Sequence, residues 1–244
     1  MRVVAVIQAR HGSSRLPGKV LLPLGAGCVL DEVIRRCRSI AGVAATCVAV
    51  PDGADSNSVA ARAESLDATV VRGPESDVLA RYGLAAARTE ADVVLRVTSD
   101  CPLLDPEAAA QVIAAYEREA ADYAANNRPP RSWPHGLDCE AIGRRALETA
   151  LASATAPYDR EHVTPWLRRS EEVRRAWVGG PGGRAADWRW TLDFPEDYAF
   201  LSAVFDRLEG GTIPSWTAVA SLIEHDPLLL SLHARARARA ETSG

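Results

Sequence analysis

Four short runs of β-branched and small apolar residues, Val3 to Ile7, Thr46 to Val50, Thr69 to Val71 and Val93 to Val97, alternate with helical patterns at about 28–40, 55–66 and 77–89. The runs are continuous rather than alternating, which is the signature of strands covered on both faces. Each connection is long enough for a right-handed crossover to a parallel neighbour. The βαβαβαβ rhythm therefore predicts a doubly wound, mostly parallel α/β sheet. Ligands of such sheets sit beyond the carboxyl ends of the strands, so the residues directly after Ile7, Val50, Val71 and Val97 are the ones to read for function.

Further along, Asp105 is an expected N-cap for a helix from Pro106 to about Ala121. The Pro- and Arg-rich stretch from Asn126 to Pro134 breaks the rhythm and leads into a strand-like run, Gly136 to Ile142. A helix at about 159–169, a strand at Val173 to Val178 and a Gly-rich turn at Gly179 to Gly183 follow, before Trp188 to Leu192 is expected to return to the main sheet. The chain thus reads as one domain over about 1–232, with an inserted lid or dimer arm at about 126–188. Helices are expected at about 195–208 and 216–225. The Ala/Arg tail within 233–244 is expected to be a solvated, fraying helix end.

The 244 residues carry a formal charge of −4 with pI near 5.8, so no overall positive field draws the chain onto nucleic acid or anionic lipid. No run approaches the roughly 18 apolar residues of a membrane span, and Met1 leads into Arg2 to Ile7 without the regions of a signal peptide. The chain reads as soluble and cytoplasmic. Five cysteines without a C-x-x-C pair read as reduced core thiols. Among 28 basic residues only Lys19 is a lysine, which singles out its surroundings.

Those surroundings are Gln8-Ala9-Arg10-His11-Gly12-Ser13-Ser14-Arg15-Leu16-Pro17-Gly18-Lys19, directly after the first strand. Glycines allow close backbone approach, and exposed N–H groups and hydroxyls donate to phosphate oxygens. Arginine adds bidentate contacts and lysine a mobile point charge. The loop suits a polyphosphate, yet it matches neither G-x-x-x-x-G-K-[ST] nor G-x-G-x-x-G, so the P-loop NTPase and hydride-transferring readings lose their main support.

This loop, with Arg96-Val97-Thr98…Asp100-Cys101-Pro102-Leu103…Asp105-Pro106, Gly136-Leu137-Asp138…Glu140, Arg160-Glu161-His162-Val163-Thr164-Pro165 and Thr191-Leu192-Asp193…Pro195-Glu196-Asp197, resembles the spore-coat-polysaccharide type of cytidylyltransferase. That family is related to the CMP-ketodeoxyoctonate and CMP-sialate synthetases, and some relatives activate phosphonates. The resemblance covers about residues 3 to 228. It implies a Mg²⁺-dependent enzyme that moves CMP from CTP to an anionic acceptor, releases pyrophosphate and works as a homodimer.

Asp100 follows the fourth strand and Asp193 follows the expected returning strand, so two carboxylates can converge as Mg²⁺ ligands beside a triphosphate. A turn role for Asp100 and an N-cap role for Asp193 are the plainer alternatives. The resemblance gives Lys19, Arg10, Asp100 and Asp193 the catalytic roles. CTP would rest on Ala9, Arg10, Gly12, Ser13, Ser14, Arg15, Lys19 and Asp100, with Gly73, Asp77 and Arg81 near the base. Asp77 and Arg81 also form an i,i+4 helix pair by spacing. For the acceptor the arm offers Asn126, Arg131, His135, Asp138, Glu140, Arg160, Glu161 and His162. A hydroxyl acceptor would use His162 or His135 as base, whereas an ionised phosphonate needs none. Packing explains His162, and an ion pair Arg160–Glu161, equally well. Trp133, Trp166 or Trp177, if exposed, would suit the dimer face, and each could equally be core. Ser99, His11 and His135 stand where relatives commonly carry glycine, methionine and arginine, which leaves the acceptor open between a sugar acid and a small phosphonate. Two rivals are a nucleotide-sugar-dependent glycosyltransferase, whose D-x-D motif Ser99-Asp100-Cys101-Pro102 lacks, and a module that binds CTP without turnover.

Overall fold

In the computed structural model, which describes residues 1–208 and 211–242, the chain opens with β1 (Val3–Gln8) and a minimal hairpin, β2 (Pro23–Leu24) and β3 (Gly27–Cys28). Then come α1 (Val29–Arg38), β4 (Val43–Pro51), α2 (Asn57–Glu64), β5 (Thr69–Gly73), α3 (Val78–Arg88), β6 (Val93–Thr98) and α4 (Pro106–Arg118). The second half runs β7 (Tyr123–Ala125), β8 (Glu140–Gly143), α5 (Arg144–Ser153), α6 (Pro157–His162), α7 (Pro165–Arg169), β9 (Arg175–Trp177), α8 (Pro195–Phe205), α9 (Trp216–His225) and α10 (Pro227–Glu241).

Seven strands form one sheet in the order β5-β4-β1-β6-β8-β7-β9, and β8 is antiparallel to both its neighbours while the other pairs are parallel. The continuous apolar run of β1 now has its reason. Val3, Ala5 and Ile7 pack with Val33 and Ile34 of α1 and Val112 of α4 on one face. Val4 and Val6 pack with Leu79, Tyr82 and Ala85 of α3 on the other. From β1 the chain winds outward through β4 and β5, then returns to lay β6 on the opposite side of β1. That reversal opens a crevice at the carboxyl ends of β1 and β6. Asp105 caps α4 through Ala108 N (2.8 Å), as its position before Pro106 predicts.

Several expectations need correction. The stretch 126–188 is not set apart from the sheet, because β8 and β9 are two of its strands. The single helix expected over 159–169 breaks at Val163, whose φ is 71°, just ahead of Pro165, giving α6 and α7. Trp188 to Leu192 adds no strand. It crosses the sheet's carboxyl edge in an extended path, bridged to His135 by His135 N to Trp188 O (2.9 Å) and Trp190 N to His135 O (2.6 Å). Gly136 makes this crossing possible, since its φ is 115° and a Cβ there would lie 2.8 Å from the Trp190 carbonyl.

Trp188, Trp190 and Leu192 anchor a third core with Phe200 and Leu201 of α8, Ile223 of α9 and Leu229 of α10. Trp133 belongs to it too, edge-on to Trp216 at 5.8 Å with its Nε1 donating to Val178 O (3.1 Å), so it is core rather than interface. Trp166 and Trp177 are half-buried against the second core. Residues 234–240, expected as a fraying end, lie inside α10, where Ala236 and the preceding His233 are buried against the body.

Candidate active site

The loop after β1 folds back through Gly18, whose φ of 69° allows its N–H to reach His11 O (3.1 Å), and this turn aims Lys19 into the crevice. The Lys19 ammonium donates to Asp100 Oδ2 (2.9 Å), Asp193 Oδ1 (3.1 Å) and Leu192 O (2.6 Å), which uses all three of its protons. Asp100 lies two residues beyond β6. Asp193 is brought beside it by one backbone bond, Leu192 N to Asp100 O (2.8 Å). Asp193 does not cap α8, because that cap is supplied by Asp197, which accepts from Asp193 N (2.8 Å) and Phe194 N (2.9 Å), whereas Asp100 does lie in a turn, closed by Cys101 N to Thr98 O (3.3 Å), with its carboxylate turned to Lys19.

Burial opposes ionisation at all three groups, yet their mutual charges win. Lys19 is raised above its ordinary value by Asp100 and Asp193. Asp100 is lowered chiefly by Lys19, with help from Thr98, and Asp193 is lowered by Lys19 and Arg189. The carboxylates are therefore ionised, paired and held by a cation.

Around this cluster lies a cavity of about 270 Å³. One wall is Ala9, Arg10, Ser13, Ser14, Arg15 and Lys19, so most of the expected phosphate loop faces it. Arg15 also reaches Asp193 (3.6 Å) and lies over the Phe194 ring (4.8 Å). A second wall is Glu75, Val78 and Arg81, and a third is Glu161 and His162 from α6. His162 is exposed, with its ring tilted against Tyr158 at 4.4 Å between centroids rather than packed into the body. Gly12, Gly73 and Asp77 do not line the cavity.

The expected i,i+4 pair of Asp77 and Arg81 is absent. Asp77 caps α3 through Ala80 N (2.9 Å) and pairs with Arg160, tying α6 to α3. Arg81 instead donates to Pro74 O (2.6 Å) and Glu75 O (2.9 Å). Arg160 accordingly makes no pair with Glu161. Two residues proposed for the acceptor are structural. Asn126 is buried with its amide clipped to Leu137 O and Cys139 N. Glu140 lies under the sheet's end between Arg96, Arg168 and Tyr123, and against strong desolvation these partners bring its pKa down to about 2. Arg131, His135 and Asp138 do come together: Arg131 pairs with Asp138, and His135 Nε2 lies 3.8 Å from Asp138 Oδ2.

Arg189 is the residue the sequence reading passed over. Its guanidinium meets Asp193 Oδ2 (2.8 Å), Asp197 Oδ2 (3.1 Å) and His135 Nδ1 (3.3 Å). The spacing Arg189, Asp193, Asp197 was the available signal, hidden in a chain where arginine is common. Among the described residues no group of three or more His, Cys, Asp and Glu side chains suits a metal. The pair Asp100 and Asp193 has the one or two carboxylates that Mg²⁺ takes when phosphate oxygens and water complete its shell.

A basic loop, a carboxylate pair and a lysine at the switch point of a doubly wound sheet define a nucleotide-binding transferase site. The cytidylyltransferase family model matches residues 4–204, and the chain belongs to that family. It is 29% identical over 232 residues to the spore coat polysaccharide biosynthesis protein SpsF of Bacillus subtilis, covering 92% of this chain and 95% of that one. A cytidylyltransferase structure from Leptospira borgpetersenii superposes with a TM-score of 0.87 at 26% identity, over 94% of this chain and 96% of that one. A CMP:2-keto-3-deoxy-manno-octonic acid synthetase solved with CTP shares the fold, with a TM-score of 0.66 at 20% identity over 85% of this chain and 99% of that one. Among the described residues no helix is long and apolar enough to cross a membrane.

Proposed function

We propose that this chain transfers CMP from CTP to a small anionic acceptor, a sugar acid or a phosphonate, and releases pyrophosphate with Mg²⁺ bound. The observation that carries the reading is the Lys19 ammonium held between Asp100 and Asp193 at the foot of the basic loop. Family membership and the CTP-bound synthetase of the same fold support it. Asp100 and Asp193 would hold the Mg²⁺, which when bound offsets phosphate charge. Lys19, Arg10 and Arg15, with the hydroxyls of Ser13 and Ser14, would cradle the triphosphate and stabilise charge developing on the leaving pyrophosphate. The ammonium holds three acceptors before CTP enters, so it exchanges one of them for a phosphate oxygen without leaving the cluster.

Arg81 suits the base. It is buried, its Nε has no partner, and its Nη1 is fixed by two carbonyls, so it presents a rigid donor to a pyrimidine acceptor atom. Gly73 sets that approach, since a Cβ there would lie 3.0 Å from Arg81 Cγ. At the other end, Glu161 and His162 line the cavity and would meet the acceptor, while the Arg131, His135, Asp138 group lies outside its lining and would reach only an acceptor that extends beyond it. Arg131 gives an anion its counter-charge, and exposed His162 gives a hydroxyl acceptor its base. The same reading carries a homodimer; half-buried Trp166 and Trp177 stay candidates for its face beside exposed Leu84, Tyr158 and Leu228, and light scattering near twice 26.1 kDa tests it.

The test of the reaction is pyrophosphate release from each of the four NTPs with a panel of sugar acids and phosphonates, for wild type, Lys19→Ala and Asp193→Asn. Release with CTP and an acceptor, lost in both variants, is the expected result. Nucleoside diphosphate released from a sugar nucleotide would instead mark a glycosyltransferase, and tight CTP binding without product across the panel would mark a binding module.

A further inference from the structure

We infer that Arg189 is a positioning residue: it fixes the Asp193 carboxylate by one oxygen so that the other is presented to Lys19 and to a divalent cation. The inference rests on the CTP-transfer reading of the cleft. Asp193 is held by three hydrogen bonds, with Arg15 in addition 3.6 Å from Oδ1. Its backbone N donates to Asp197 Oδ2 (2.8 Å), its Oδ2 accepts from Arg189 Nη2 (2.8 Å), and its Oδ1 accepts from Lys19 (3.1 Å). A carboxylate bonded through only one oxygen can turn about its Cβ–Cγ bond. Arg189 removes that freedom by a planar fork that spans Asp193 and the buried Asp197 together.

The fork is itself braced. The Arg189 backbone N donates to His233 Nε2 (3.0 Å) from α10, and Nη1 meets His135 Nδ1 (3.3 Å) from the opposite strand of the crossing. A His135 that accepts at Nδ1 carries its proton on Nε2, on the side of Asp138, so its lone pair is spent on Arg189 rather than offered to an acceptor hydroxyl. Arg189 is thereby placed between the acceptor group and the carboxylate pair, and it touches neither Lys19 nor Asp100.

A purely structural Arg189, serving only to neutralise buried Asp197, is the competing explanation, and two variants separate them. Arg189→Lys keeps the charge beside Asp197 but cannot span both carboxylates. The double variant Arg189→Gln/Asp197→Asn removes the buried charge together with its partner, so the fold keeps no orphaned carboxylate. Mn²⁺ affinity in the presence of CTP, read by electron paramagnetic resonance with no acceptor added, is expected to weaken by about tenfold or more in both folded variants. In steady state kcat is expected to fall by a similar factor while KM for CTP stays within about threefold. Mn²⁺ affinity within about twofold of wild type in either folded variant would overturn the inference. A wild type that binds Mn²⁺ with CTP but transfers CMP to nothing would sink the transfer reading and leave the positioning claim to the Mn²⁺ affinities. A wild type that binds no Mn²⁺ with CTP would overturn both.

Discussion

Replacing Lys19 with methionine keeps the unbranched stem and deletes the cation between two ionised carboxylates. Asp193 retains Arg189 at 2.8 Å and Arg15 at 3.6 Å, so the group left without a counter-charge is Asp100. Breaking a buried pair costs about 3–5 kcal/mol, and the side chains of Asp100 and Asp193 are 25% and 20% exposed, so solvent screening reduces the expected loss to about 2–3 kcal/mol near neutral pH. For a chain of this size that is a fall in Tm of about 5–10 °C. The pH dependence has a definite sign. In wild type the lowered Asp100 and Asp193 give stability that is present above their ordinary value of 3.8 and is lost as pH falls towards their folded values. The raised Lys19 gives stability that is full below 10.5 and lost only as pH rises through its folded value. In the variant burial still opposes an ionised Asp100 and only the Thr98 hydrogen bond offsets it, so its pKa climbs. The stability gap therefore narrows as pH drops from 8 towards 4. Millimolar Mg²⁺ without nucleotide should raise the variant's Tm more than the wild type's, because the ammonium no longer competes for the carboxylates. Scanning fluorimetry at several pH values, alongside CTP turnover expected to fall about 10³-fold, checks this. A variant that melts with wild type at pH 8 and pH 4 and keeps turnover within about tenfold would refute the reasoning.

Glu140→Gln should cost about 3–5 kcal/mol in urea melts, because Arg96 and Arg168 lose their shared counter-charge, while kcat per folded molecule stays unchanged. With its pKa brought down to about 2, Glu140 supplies stability that is present above its ordinary 4.5 and lost as pH falls towards 2, so the wild-type and variant melts should converge in acid. Arg160→Ala severs α6 from Asp77 at a cost of about 1 kcal/mol, and since α6 carries Glu161 and His162 it should raise KM for the acceptor more than KM for CTP. All five thiols are buried, with Cys37 and Cys47 pushed up to about 12 by burial, so a thiol reagent should label the native chain slowly and completely only in denaturant.

The sheet's first half was legible because buried parallel strands must be apolar on both faces, and Val3 to Ile7 packs in just that way. Lys19, Asp100 and Asp193 were legible because strand-end positions in such a sheet point to one crevice, and they do meet there. Asn126 and Glu140 misled because polarity in an irregular stretch looks like a binding surface. Only the antiparallel pairing of β8 with β6 and β7 turns Glu140 inward to its arginines. The run Trp188 to Leu192 has a strand's composition, but its bonds go to His135 and Asp100 at the sheet's edge, and long-range pairing of this kind leaves no local pattern. Arg189 was hidden for a statistical reason: in a chain with one lysine and many arginines, a single arginine carries no signal until its partners are seen.

The most direct test of the account follows CTP labelled at the α-phosphorus, with Mg²⁺ and an anionic acceptor, in wild type and Asp193→Asn. The account predicts label in an acceptor–CMP conjugate, an ester for a hydroxyl acceptor or an anhydride for a phosphonate, with an equal amount of pyrophosphate, and neither product once the metal is chelated or Asp193 is neutralised. Label that stays in CDP or free CMP, or the conjugate formed at the wild-type rate by Asp193→Asn, would contradict it.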